Sequence, residues 1–101
     1  MPKFNVEHLS GVNAQDAFEK LKIFLNSPND ISKLDSEIAC QFDDQKLTAT
    51  MTGSQFKAQI NVRSQTSGSK TVVVVDIPLL LLPFKSKIQE TLERQFKKHL
   101  G

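Results

Sequence analysis

The sequence predicts an α+β fold: an antiparallel sheet of about five strands, in the order β-α-α-β-β-β-β-α, packed on a long C-terminal helix. Three observations carry that expectation. Residues 38–62 hold three runs in which apolar and polar side chains alternate, joined by short polar turns, and a β-branched run "TVVVVDI" follows at 71–77. That pattern belongs to an antiparallel meander with one wet face. Residues 14–25 and 84–100 instead repeat at three and four, the period of helices with one apolar stripe. At 101 residues the chain forms a single domain, 1–101, with room for a core of its own.

Residues 3–9, "KFNVEHL", place Phe4 and Val6 on one side of a first strand. Gly11 punctuates, and Asn13 is set to cap a helix, with Asp16 in the place of a capping-box acid. Ala14, Ala17, Phe18, Leu21, Phe24 and Leu25 then form the buried stripe, ending near Asn26. Ser27-Pro28-Asn29-Asp30 carries the signals of a second, short helix: a capping Ser, Pro at the first position and an acid two residues on.

The next strands follow as Ile38/Cys40/Phe42, Leu47/Ala49/Met51 and Phe56/Ala58/Ile60/Val62, each named by its apolar parity. "SQTSGS" at 64–69 reads as a flexible turn. The valine run is apolar on both parities, which fits a central strand or one partly covered by another chain. Asp76 is expected on an exposed edge, as a charge that discourages aggregation. Pro78 ends the strand because it cannot donate to a ladder. Pro83 can open the last helix, whose Phe84, Ile88, Leu92 and Phe96 form one row, extended by Leu100. Helices on one face of such a sheet resemble a miniature helix-grip fold, in which a curved sheet wraps the final helix. A likeness of architecture alone predicts no function.

The bulk composition excludes several classes. With 39% hydrophobic and 24% charged residues the chain is neither disordered nor fibrous. Its net charge of +2 and the restriction of its seven aromatics to Phe argue against nucleic acid as a partner. The lone Cys40 forms no internal disulfide, and its acidic neighbours work against a reactive thiolate. A phosphate-binding glycine loop, HExxH and GxSxG are all missing from the sequence, and His8 and His99 stand near opposite ends. No cofactor, metal or catalytic group is therefore expected. An enclosed pocket with His8 beside an acid would reopen that question. The opening residues hold no apolar stretch of a secretory signal, so the expected location is cytoplasmic.

The segment "IPLLLLPFKSKI" stands apart. The apolar run holding it contains Asp76 and two prolines and falls short of the about 20 apolar residues a spanning helix needs. Four successive leucines are more than one face of a two-layer domain buries. Leu79, Leu80, Leu81, Leu82, Phe84 and Ile88 are thus the candidate contacts for a hydrophobic ligand or surface, unless the leucines prove to be core. The last helix concentrates positive charge, with five Lys/Arg against two Glu over 85–98, while the rest of the chain holds eight against nine. Lys85, Arg94, Lys97 and Lys98 form the basic face of the candidate site. A homodimer built on the same apolar patch is the alternative.

The stretches "EHLSGVNAQDAFEKLKIFL", "MTGSQFKAQINV" and "DIPLLLLPFKSKIQETLERQFKKHL" together resemble the polyhydroxyalkanoic acid system (granule-region) proteins of bacteria. Gly53, Phe56, Ile60 and Val62 match that family's strand pattern. Leu81, Leu82, Pro83, Lys85 and Ile88 match its junction into a lysine-containing helix. The resemblance implies a non-enzymatic cytoplasmic protein associated with polyester storage granules. An amphipathic segment preceded by leucines suits such a body, burying the leucines while the lysines stay wet.

Overall fold

The computed structural model describes residues 3–26, 37–54 and 56–100. The second helix expected from Ser27-Pro28 lies outside the described residues. The elements are β1 (Lys3–Ser10), α1 (Ala14–Asn26), β2 (Ala39–Asp43), β3 (Thr48–Thr52), β4 (Lys57–Gln65), β5 (Gly68–Asp76), a 3-10 turn (Leu79–Phe84) and α2 (Lys85–Leu100). The five strands form one antiparallel sheet in the order β1-β5-β4-β3-β2, with both helices packed on one face.

The two-residue alternation becomes burial directly. In β1, Phe4, Val6 and Ser10 point inward while Lys3, Asn5, Glu7 and Leu9 face solvent. The same inward parity runs through Ala49 and Met51, Ala58, Ile60 and Val62, and Thr71, Val73 and Val75. α1 begins as its cap predicts. The Asp16 backbone N–H donates to Asn13 Oδ1 at 2.8 Å, and Asn13 Nδ2 donates back to the Asp16 carboxylate at 3.1 Å. Its buried face is Ala14, Ala17, Phe18, Leu21 and Phe24.

Edge-to-face ring pairs join α1 to the sheet and to the other helix. Phe18 meets Phe42 of β2 at 6.2 Å between centroids, and Phe24 meets Phe96 of α2 at 6.4 Å. Such pairs each contribute about 0.5–1.5 kcal/mol beyond their buried area. On the surface, Lys22 Nζ binds the Asp44 carboxylate at 2.8 Å and ties α1 to the β2–β3 turn. That carboxylate holds the ammonium above its usual lysine range.

The structure corrects several sequence expectations. β5 is central, flanked by β1 and β4, which explains its valines on both faces. Asp76 therefore does not sit on a sheet edge. It is half-buried between Lys3 and Lys57, its register partners on the two neighbouring strands. The expected turn over 64–69 shrinks to Thr66–Ser67, because β4 and β5 pair out to Gln65 and Gly68, and Ser69 is fully buried. β3 starts at Thr48 and not at Leu47, whose backbone is left-handed (φ 52°), although the Val62 N–H of β4 still donates to the Leu47 carbonyl at 2.9 Å. α2 starts at Lys85, two residues after Pro83, which lies inside the 3-10 turn.

Candidate functional site

β5 runs out of sheet partners at Asp76, and Pro78 removes a donor at the point where the chain leaves the ladder. The backbone tightens at once into the 3-10 turn. The Leu81 N–H donates to the Pro78 carbonyl at 2.9 Å, and the Lys85 N–H donates to that of Leu82. In a three-residue repeat, side chains three apart lie over one another, so a short turn has few inward positions. Leu81 takes the inward one and packs against the core. Its neighbours turn outward: Leu79 is 74% exposed, Leu80 84%, Phe84 55% and Leu82 41%.

Of the six apolar contacts expected from sequence, four are thus presented to solvent on a hydrogen-bonded turn. The other two lie deeper, Ile88 in the core and Leu81 only partly covered. Ile88 is core, held with Leu92, Phe96 and Leu100 in the row of α2 that faces the sheet. Leu81 is half-buried beneath the turn. The helical period puts Phe84 at the head of that row, but the late start of α2 releases it outward. Four large apolar side chains exposed within six residues are more than the singly scattered ones of an ordinary surface.

Polar groups frame the patch unevenly. Lys85 lies over the Phe4 ring, 5.6 Å from its centroid. An open depression beside the turn is lined by Phe84, Lys87, Glu90, Thr91 and Arg94. On the outer sheet face, a small open groove of about 120 Å³ is lined by Lys3, Lys57, Gln59, Val74 and Asp76. Lys97 and Lys98, assigned to the basic face with Lys85 and Arg94, are exposed in the last turn of α2, far along the helix from the patch.

A second polar group lies on the inner sheet face, and of its members the sequence pattern marks only His8. His8 pairs in register with Thr71, and Ser10 with Ser69. His8 Nε2, Thr71 Oγ1 and Ser69 Oγ are buried with no hydrogen-bond partner, while the Ser10 hydroxyl donates to the Leu100 carbonyl at 2.8 Å. Strand parity puts His8 on the side of Phe4 and Val6, whereas Ser69 falls in a stretch that reads as turn. The ring of His8 tilts against Phe96 at 6.3 Å, and His99 stacks on Phe24 at 4.7 Å, so both histidines are packed against aromatic rings. Among the described residues no three His, Cys, Asp or Glu side chains gather as metal ligands. Burial pushes the half-buried Cys40 thiol up, which suits a packed side chain and not a nucleophile.

Fold and site together define a class: a two-layer α+β domain that presents an exposed apolar 3-10 turn where its central strand meets its last helix. The chain is similar to the TTHA0849 protein of Thermus thermophilus, whose crystal structure matches with a TM-score of 0.66 at 13% identity, over 95% of this chain and 92% of that one. It is also similar to the CV1439 protein of Chromobacterium violaceum, with a TM-score of 0.56 at 9% identity, over 99% and 95% of the respective chains. At those identities the likeness establishes the fold alone. No protein-family model matches the chain, and no curated protein sequence matches it. Among the described residues no helix is long and apolar enough to cross a membrane.

Proposed function

We propose that this chain is a small non-enzymatic binding protein that docks its Leu79–Phe84 turn on a hydrophobic body. The observation that carries the reading is the exposure of Leu79, Leu80, Leu82 and Phe84 within six consecutive residues, on a backbone fixed by its own hydrogen bonds. Side chains without a folding role at these positions are free to be buried elsewhere. Burying one leucine is worth about 1.5–3 kcal/mol, so two or three give useful partition even after the cost of association. The resemblance to granule-region proteins makes a polyester storage granule, in a bacterial cytoplasm, the first surface to test.

The test is adsorption of purified protein to polyhydroxybutyrate particles and to phenyl-coated beads, compared with Leu80→Asp. The wild type is expected to adsorb and the variant to lose at least about tenfold in partition, since one lost leucine burial already accounts for that factor. Equal adsorption of the two proteins overturns the reading. A dimer at nanomolar concentration that Leu80→Asp splits, with no adsorption, replaces it with self-association through the same turn.

A further inference from the structure

We propose that the hydrophobic body entered by this turn is covered with anionic phospholipid, and that Lys85 and Lys87 grip its headgroups while the leucines enter the acyl layer. This inference rests on the docking reading above and names the chemistry of the surface. The argument is one of charge placed around grease. Lys85 follows Phe84 directly, and Lys87 lines the same depression as Phe84. Lys3 and Lys57 flank Asp76 in register on the neighbouring strands, three residues before Leu79. Lys85 and Lys87 thus adjoin the exposed turn, with Glu90 and Arg94 lining the same depression as Lys87, while Lys3 and Lys57 stand either side of Asp76 at the end of the strand that leads into it.

A bare polyester or an uncharged ligand offers those lysines carbonyl acceptors at most and no negative charge. An anionic headgroup layer supplies that charge, and lysine stems lie along apolar surface while their ammonium groups remain at the polar boundary. The geometry also suits shallow entry. The apolar side chains lie on a short turn with charged residues beside it, so insertion stops where the lysines meet phosphate.

Cosedimentation with vesicles of phosphatidylcholine alone, and of phosphatidylcholine mixed with phosphatidylglycerol, tests the proposal. The wild type is expected to prefer the anionic vesicles, and to lose that preference between about 50 mM and about 500 mM salt as the Debye length shrinks. Lys87→Glu replaces an exposed side chain and is expected to spare the fold. It should weaken binding to anionic vesicles roughly fivefold or more, the worth of one basic residue at such a surface, while adsorption to phenyl beads stays as in the wild type. The double variant Lys85→Glu/Lys87→Glu should abolish the preference between vesicle types. Equal binding of the wild type to both vesicles at low salt overturns this inference, and intact bead adsorption in the same experiment leaves the docking reading standing. Loss of bead adsorption on Lys87→Glu also counts against it, since a headgroup contact has no role on phenyl beads.

Discussion

Ser10 and Leu100 stand 90 positions apart and are joined by a buried hydrogen bond, the Ser10 hydroxyl donating to the Leu100 backbone carbonyl at 2.8 Å. The carbonyls of a last helical turn have no partner within the helix, and this one is sealed from water. The same hydroxyl oxygen accepts from the Val12 N–H at 3.2 Å, so one side chain links the end of β1, the approach to α1 and the end of α2. Replacing it with alanine strands a buried acceptor, which costs about 1–3 kcal/mol. Ser10→Ala is therefore expected to lower the urea midpoint by that much in free energy, while Ser64→Ala, on an exposed position of β4, changes it by less than about 0.5 kcal/mol. Equal midpoints for the two variants would show that the Ser10 bond contributes nothing.

Gly68 protects the same corner. Its φ of +150° is one that side-chain-bearing residues rarely adopt, and a Cβ there would run into the Ser10 carbonyl oxygen. The close approach lets β4 and β5 turn over only two residues, Thr66 and Ser67, beside the end of β1. Gly68→Ala should cost more than about 2 kcal/mol, combining a strained dihedral with a backbone clash. Gly11 has open space around it, so Gly11→Ala serves as the control and should leave thermal unfolding nearly unchanged. A melting temperature for Gly68→Ala within a degree or two of that control contradicts this account.

The contrast between these two glycines shows where sequence reading works and where it stops. The strands of the meander, the cap of α1 by Asn13 and Asp16, and the Ile88–Leu100 row are legible because period and capping are local properties. The pairing of β1 with β5 is not, since nothing in "KFNVEHLS" names a partner so far along the chain. Without that pairing, Asp76 looks like an edge residue. The leucine run is half legible: its excess over one buried face is evident, but four identical side chains carry no polar marker of direction. Only the 3-10 backbone between Pro78 and Lys85 decides that Leu81 turns in. Ser69 and Thr71 are hidden for the opposite reason, being polar residues on the inward parity.

Cys40 offers a chemical check on the burial of β2. Burial disfavours its thiolate, so at any given pH less of the reactive form is present than on a free peptide. Reaction with an aromatic disulfide reagent near pH 8 should be severalfold slower in the folded protein than for cysteine in a short peptide. It should recover the peptide rate in denaturant. A native rate equal to the peptide's would mean that β2 leaves the thiol in water.

The leucine turn makes the sharpest distinction between folding and docking. Leu80 and Ile88 are both large aliphatic residues of the same short segment, yet one is 84% exposed and the other 8%. Removing Ile88 leaves a hole beside Leu92 in the layer between α2 and the sheet. Truncating buried aliphatics to alanine costs about 2–5 kcal/mol, with the lower half of that range expected here because Ile88 lies at the first turn of the helix. Leu80→Asp removes no buried contact, and its unfolding free energy should stay within about 0.5 kcal/mol of the wild type. Urea titration of both variants, alongside particle adsorption, separates the two roles: Ile88→Ala should lose stability and keep adsorption while folded, and Leu80→Asp should do the reverse. If Leu80→Asp unfolds the protein, the turn is structural and its leucines belong to the core in solution.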